Sequence, residues 1–211
     1  MGVEELLDKV NKLRNSYVRA LVEGRMKDFE ELRKGSDKDL FRELVFCLLT
    51  ANFSAEGALK ILSSLCDEIF SLPKEELTER LAELGHRYPR KRAEFIVEAR
   101  RLIPILRDVV TSFKDERLLR EWLVKNVKGL GYKEASHFLR NIGYKNVAII
   151  DLHIINLLLR FGLLKERPKN LSKRRYLEIE SLLEDIARRV GVPLGELDLY
   201  LWYLETGKVI K

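Results

Sequence analysis

The 211-residue chain contains no glutamine and only two cysteines, Cys47 and Cys66. The two lie far apart and neither belongs to a C-x-x-C pair, so a zinc site or an iron–sulfur cluster has no visible ligand set. Both are expected to be small buried residues within apolar helical patterns. No apolar run approaches the roughly 20 residues needed to cross a bilayer. The start, around Glu4 and Glu5, is acidic and lacks the basic-then-apolar pattern of a signal peptide, which predicts an intracellular, cytoplasmic protein without membrane contact. Convincing period-two alternation is missing, and with it the case for a sheet. Ser/Gly-rich linkers and repeats of 20 to 50 residues are also missing, which argues against flexibly tethered domains and helical solenoids. The lack of glutamine beside abundant Lys, Arg and Glu points to a heat-adapted organism.

The period that is present is helical nearly everywhere. Leu40, Phe41, Leu44, Val45, Leu48 and Leu49 recur at three- and four-residue steps after Ser36-Asp37-Lys38-Asp39, a capping-box pattern. Ala135, Phe138, Leu139 and Ile142 form a second stripe, and Leu182, Leu183, Ile186 and Val190 a third. About ten helices are predicted. Their spans lie near 3–33 (with a break near Gly24), 37–51, 54–70, 74–84, 90–112, 115–126, 132–142, 151–162, 172–190 and 193–205. Gly85 to Pro89, Gly143 to Asn146, Gly162 and Gly191-Val192-Pro193 punctuate them. The expected fold class is all-α, a single unit over residues 1–211 made of two helical lobes with a cleft between them.

Net charge is +6 and the pI about 9.2, compatible with a polyanionic partner but mild as an argument. Two basic stretches carry much of it: His86-Arg87-Tyr88-Pro89-Arg90-Lys91-Arg92, and Lys165 to Arg175. Each reads equally well as solvated helix ends or as a nucleic-acid contact.

The chemistry is concentrated in Val127-Lys128-Gly129-Leu130-Gly131-Tyr132-Lys133. Gly129 and Gly131 permit positive φ and close backbone approach, so two helices near 115–142 can be joined by a tight hairpin. The first amides of the second helix lack intrahelical partners and sit at the positive end of its dipole, which makes a phosphate site without basic side chains. Such contacts fix register on a duplex and carry no base information. A G-x-G pair alone more often marks an ordinary helix–turn–helix joint. Lys133, in the first turn of that helix, changes the balance. The dipole disfavours its charged form, and partial burial would push the same way, freeing an amine nucleophile. Asp151 ends the apolar run Val147-Ala148-Ile149-Ile150 and precedes the helical pattern of Ile154, Ile155, Leu158 and Leu159. It fits an N-cap, and a capping carboxylate is also rigidly aimed, so it can assist amine deprotonation and stabilise positive charge on a sugar ring.

Gly129-Leu130-Gly131-Tyr132-Lys133 with Ile149-Ile150-Asp151-Leu152-His153 resembles the helix-hairpin-helix, Gly/Pro-rich loop and aspartate superfamily of DNA glycosylases. In that superfamily a lysine just after the hairpin glycines marks bifunctional members, which remove the base and then cut the backbone. The resemblance implies that Lys133 attacks C1′, expels the base and forms a Schiff base, with β-elimination following. It implies that Asp151 is the superfamily aspartate and that Asn52, in Leu48-Leu49-Thr50-Ala51-Asn52-Phe53-Ser54, fills the gap left by a flipped base. No cysteine follows Asp151, so the cluster-bearing branches are excluded. There is no room for the extra β-sheet domain of the larger eukaryotic 8-oxoguanine glycosylases. The whole chain is similar to the compact archaeal-type 8-oxoguanine DNA glycosylase/AP lyase family, also found in some thermophilic bacteria.

That family places a C-terminal lysine and a tryptophan at the base pocket, which here are Lys211 and Trp202. Read without the family, Lys211 is a solvated end and Trp202 a core residue. The implied partner is double-stranded DNA containing 8-oxoguanine or abasic sites, acted on by a monomer at the prokaryotic nucleoid. The implied mechanism requires no cofactor and no metal, and His86, His137 and His153 lack ligand spacing. Neither His137 nor His153 is assigned to catalysis. Two other readings stand beside this one: a glycosylase for another oxidised or alkylated base, and a non-catalytic helix-hairpin-helix DNA-binding module. The latter would not require Lys133 and Asp151.

Overall fold

The computed structural model describes residues 2–211, and among the described residues every regular element is helical. The chain forms two compact units. One comprises the residues up to Glu31 together with Gly143–Lys211, and the other Leu32–Ile142. None of the helices is long and apolar enough to cross a membrane.

The first unit holds α1 (Val3–Arg14), most of α2 (Val18–Lys34), α11 (Leu152–Arg160), α12 (Lys173–Val190) and α13 (Leu194–Thr206). The second holds α3 (Asp37–Thr50), α4 (Ala55–Leu65), α5 (Glu68–Ser71), α6 (Lys74–Glu83), α7 (Pro89–Ala99), a 3₁₀ segment (Arg100–Ile105), α8 (Leu106–Ser112), α9 (Glu116–Asn126) and α10 (Tyr132–Asn141). In the first unit α1 packs on α12 and α13, and α11 on α13. In the second, α3 is the central helix and packs on α4, α7, α8 and α10.

The sequence of α3 explains its position. The Ser36 side chain accepts from the Asp39 amide and the Asp39 carboxylate from the Ser36 amide, a reciprocal cap that fixes the helix start. From Leu40 to Thr50 every residue except Arg42 is buried, as expected of a helix surrounded by others. Glu43 is the one charged residue among those buried, and its carboxylate accepts from Asn141 Nδ2 of α10 at 2.6 Å.

Three predicted helices are divided, each for a local reason. The first breaks at Asn15–Tyr17 rather than near Gly24, because the Ser16 hydroxyl donates to the Leu13 carbonyl and accepts from the Val18 amide. Gly24 lies inside α2. The predicted 54–70 helix ends at Cys66, whose φ of +46° closes α4. Cys66 is therefore exposed, contrary to the expectation that both cysteines are buried, whereas Cys47 is buried as expected. The predicted 90–112 helix tightens into 3₁₀ geometry around Pro104, which lacks an amide donor and would clash with the carbonyl four residues earlier.

Candidate active site

The hairpin is assembled within the second unit. Val127 caps α9, its amide donating to the Leu123 carbonyl at 2.8 Å, and the Leu130 amide donates to the Val127 carbonyl at 3.2 Å. Gly129 turns the chain with φ +90°. Gly131 needs no such freedom: its φ of −90° is open to any residue, and it serves as the N-cap of α10. Only one of the two glycines therefore uses the left-handed region. Having no side chain, Gly131 supplies no cap to the first-turn amides of α10, and its own amide donates to the Glu134 carboxylate at 3.2 Å.

The hairpin is fastened to α7. The Phe95 ring lies where a Cβ on Gly129 would project. Lys128 bridges Glu94 at 2.8 Å and Glu98 at 3.2 Å, which holds its ammonium above the ordinary lysine range, Glu94 contributing most. Arg101 donates to the Asn126 carbonyl at 2.9 Å. Beneath the first turn of α10, Arg120 is buried, bonds Ser136 at 3.1 Å and lies 5.1 Å from the Tyr132 ring centroid. Lys133 stands on this platform with its side chain 25% exposed, and its nearest carboxylate oxygen belongs to Glu134 at 3.9 Å.

Asp151 belongs to the first unit. It is the N-cap of α11, its Oδ1 accepting from the Ile154 amide at 2.9 Å. The buried segment before it, Val147 to Ile150, is irregular and is held by α12. Glu180 accepts from the Ala148 amide at 2.8 Å. The Tyr176 hydroxyl donates to the Ala148 carbonyl at 2.6 Å and accepts from the Ile150 amide at 3.2 Å. Tyr176 and Glu180 were missed by the sequence reading. Their only signal is a polar pair at i and i+4 on the otherwise apolar face of α12, where an unpaired carboxylate would be costly.

In the same unit, His153 meets Trp202 edge to face, with ring centroids 4.8 Å apart. Trp202 is half-buried on α13, and its buried Nε1–H has no partner among the described residues. Beyond Gly207, which ends α13 in the left-handed region, the chain runs in irregular conformation to Lys211, itself half-buried.

Asn52 is exposed and occupies the left-handed region at φ +59° in the turn between α3 and α4. The flanking residues bind the stretch His86–Arg92, in which His86 and Arg92 are buried rather than solvated. The solvated reading fits only Arg87, Tyr88, Arg90 and Lys91 of that stretch. Gly129, Gly131, Lys133 and Asn52 thus share the second unit, and Asp151, Trp202 and Lys211 the first.

Comparison with known proteins gives a consistent result. Residues 22–192 match the family model described as 8-oxoguanine DNA glycosylase. The chain is 71% identical over its full length to a Korarchaeum cryptofilum protein named 8-oxoguanine DNA glycosylase/AP lyase, all of which is covered. It is 52% identical to the Methanocaldococcus jannaschii protein of the same name, covering 98% of this chain and 99% of the relative. Among solved structures it is similar to the M. jannaschii 8-oxoguanine glycosylase/lyase in complex with a 15mer DNA containing 8-oxoguanine. There the TM-score is 0.95 and the identity 51%, over 98% of this chain and 100% of the other. The Thermotoga maritima 8-oxoguanine DNA glycosylase gives a TM-score of 0.93 at 49% identity, over 99% and 100% of the two chains.

Proposed function

Because the chain belongs to the 8-oxoguanine DNA glycosylase family, we propose that it excises 8-oxoguanine from double-stranded DNA and then cleaves the strand, with Lys133 as the nucleophile and Asp151 as its acidic partner. The observation that carries this reading is the setting of Lys133. It directly follows the hairpin, stands in the first turn of α10, is largely buried, and has no carboxylate closer than 3.9 Å. At 3.9 Å that contact is at the long limit of an ion pair, and a lysine in the first turn behind the hairpin is placed to meet a sugar whose phosphate the α10 amides would hold.

The hairpin through Gly129 and the uncapped amides of α10 would hold a backbone phosphate. The target nucleotide would be turned out of the stack, at a cost of a few kcal/mol. Trp202 would stack on the extruded base, returning about 1–3 kcal/mol, with the unpartnered Nε1–H and Lys211 beside it as polar groups for base recognition. Asn52, projecting from its left-handed turn, would fill the vacated place in the duplex.

The Lys133 amine would then attack C1′. The glycosidic C–N bond breaks, the base leaves with its electron pair and takes up a proton, and the sugar opens to an imine on Nζ. Removal of a proton from C2′ and departure of the 3′ phosphate complete the β-elimination, and water releases the lysine. Asp151, rigidly aimed by its capping bond, would support amine deprotonation and the cationic sugar. Such an activity belongs in the cytoplasm beside the chromosome.

Single-turnover cleavage of duplexes carrying one 8-oxoguanine, one oxidised pyrimidine, one alkylated purine or no lesion tests the assignment. Cleavage restricted to the 8-oxoguanine duplex, abolished by Lys133→Gln while duplex binding persists, is expected. Preference for another lesion moves the substrate, and full strand cleavage by the variant removes Lys133 from the mechanism.

A further inference from the structure

Arg92 is a buried guanidinium, 6% exposed, and the carboxylate nearest in effect, that of Glu134, is not in contact with it. Its Nη2 donates to the Ala51 carbonyl at 2.5 Å, its Nε has no partner among the described residues, and its carbon centre lies 5.7 Å from the Phe95 ring centroid. Burial works against its charge. Enclosing such a cation with so few compensating contacts lowers stability, and a hydrophobic residue of similar volume would often be neutral or better. A stability role therefore does not account for it.

His86, six positions earlier in the chain and 4% exposed, reaches the other side of the same turn. Its Nε2 lies 3.0 Å from the Leu49 carbonyl and its Nδ1 accepts from the Tyr88 amide at 3.0 Å. A carbonyl only accepts and an amide only donates, so the ring is neutral with its proton on Nε2. The ring stacks on Phe53 at 4.5 Å between centroids. Phe53 in turn covers Gly57 of α4, where a Cβ would come within 2.5 Å of its ring. Arg92 thus holds the residue before Asn52 and His86 the residue after it. Asn52 itself is exposed in the left-handed region, a conformation that asparagine tolerates but that persists only where its surroundings impose it.

We propose that Arg92 and His86 are positioning residues for duplex opening, which clamp Ala51 and Phe53 so that Asn52 is preset to enter the gap left by the extruded base. The inference rests on the gap-filling reading of Asn52. The same guanidinium meets Phe95, the ring beneath the Gly129 hairpin, so one buried cation ties the gap-filling turn to the phosphate grip. Displacement of a catalytic group by about 1 Å can cost on the order of 10²-fold, which sets the scale expected when the clamp is lost.

The test compares single-turnover rates on two duplexes, one with 8-oxoguanine, where a base must be extruded, and one with an abasic site, where none is present. The ratio of the two rates cancels any loss of active protein, so a merely structural defect leaves it unchanged. Arg92→Met keeps the stem and removes the guanidinium, and His86→Phe keeps the ring stack and removes both hydrogen bonds. Asn52→Ala is the reference. Each clamp variant is expected to lower the 8-oxoguanine to abasic ratio by about tenfold or more, as Asn52→Ala does, and combining either with Asn52→Ala should add little. A lowered ratio for Asn52→Ala with an unchanged ratio for both clamp variants overturns the clamp. An unchanged ratio for Asn52→Ala overturns the gap-filling reading beneath it. Failure of the unmodified protein to act on the 8-oxoguanine duplex overturns the proposed function itself.

Discussion

The Phe95 ring fills the space that a side chain at Gly129 would need: a Cβ there would fall 2.2 Å from Phe95 Cδ2. Gly129 also sits at φ +90°, where an L side chain is strained. Gly129→Ala is therefore expected to lower the thermal midpoint and, under the phosphate-gripping role proposed for the hairpin, to weaken binding to undamaged and damaged duplexes by a similar factor, because phosphate contacts carry no base information. At Gly131 a Cβ would meet only Glu134 Oε2, at 3.1 Å, and φ is −90°. Gly131→Ala should be much milder. Fluorescence-anisotropy titrations of both variants check the contrast, and equal losses would show that close packing on Phe95 is not what limits the hairpin.

Asp151 caps α11, and substitution can separate that role from the catalytic one proposed for it. Asparagine still caps a helix, whereas alanine does not, at a cost of about 0.5–2 kcal/mol. Asp151→Asn is expected to retain the thermal midpoint and lose most of the cleavage rate. Asp151→Ala should lose both. Calorimetry alongside single-turnover cleavage distinguishes these, and an active Asp151→Asn would confine Asp151 to capping.

The Tyr176 hydroxyl bonds both the Ala148 carbonyl and the Ile150 amide in the segment leading to Asp151. Tyr176→Phe leaves these buried groups unpaired, which should destabilise the protein by about 1–3 kcal/mol. Chemical denaturation measures that cost. A slower cleavage rate at full occupancy should accompany it, since the segment that aims Asp151 is loosened.

Burial holds His86 below the ordinary imidazole range, opposed by its bond to Leu49 and reinforced by the charge of Arg92. As pH falls below about 6.5, the unfolded chain therefore takes up a proton that the folded protein still refuses. This site contributes a loss of stability from there down to its lowered folded value and no further loss beneath it. His86→Phe should flatten that part of the profile in calorimetric scans across mildly acidic pH. An unchanged slope would contradict a neutral, buried His86.

The helical class, the capping box at Ser36 and Asp39, the hairpin and the Asp151 cap were legible because each is local, set by spacing within one or two turns. The break at Ser16 was not, since a serine that caps both ways competes with a long helical pattern that continues on either side. Pro104 interrupts a helical pattern that otherwise runs across 90–112. The burial of His86 and Arg92 was invisible for a different reason: their partners are the carbonyls of Leu49 and Ala51, and backbone acceptors leave no trace in a sequence. Tyr176 and Glu180 were hidden likewise, because their partners are backbone groups of Ala148 and Ile150.

The most direct test of the account is borohydride trapping on a duplex with a single 8-oxoguanine, comparing the unmodified protein with Lys133→Gln. Reduction converts a lysine Schiff base to a stable amine, so a covalent protein–DNA adduct with the unmodified protein alone is the predicted result, and peptide mapping should place it on Lys133. No adduct with either protein, or an equal adduct with both, would contradict Lys133 as the nucleophile.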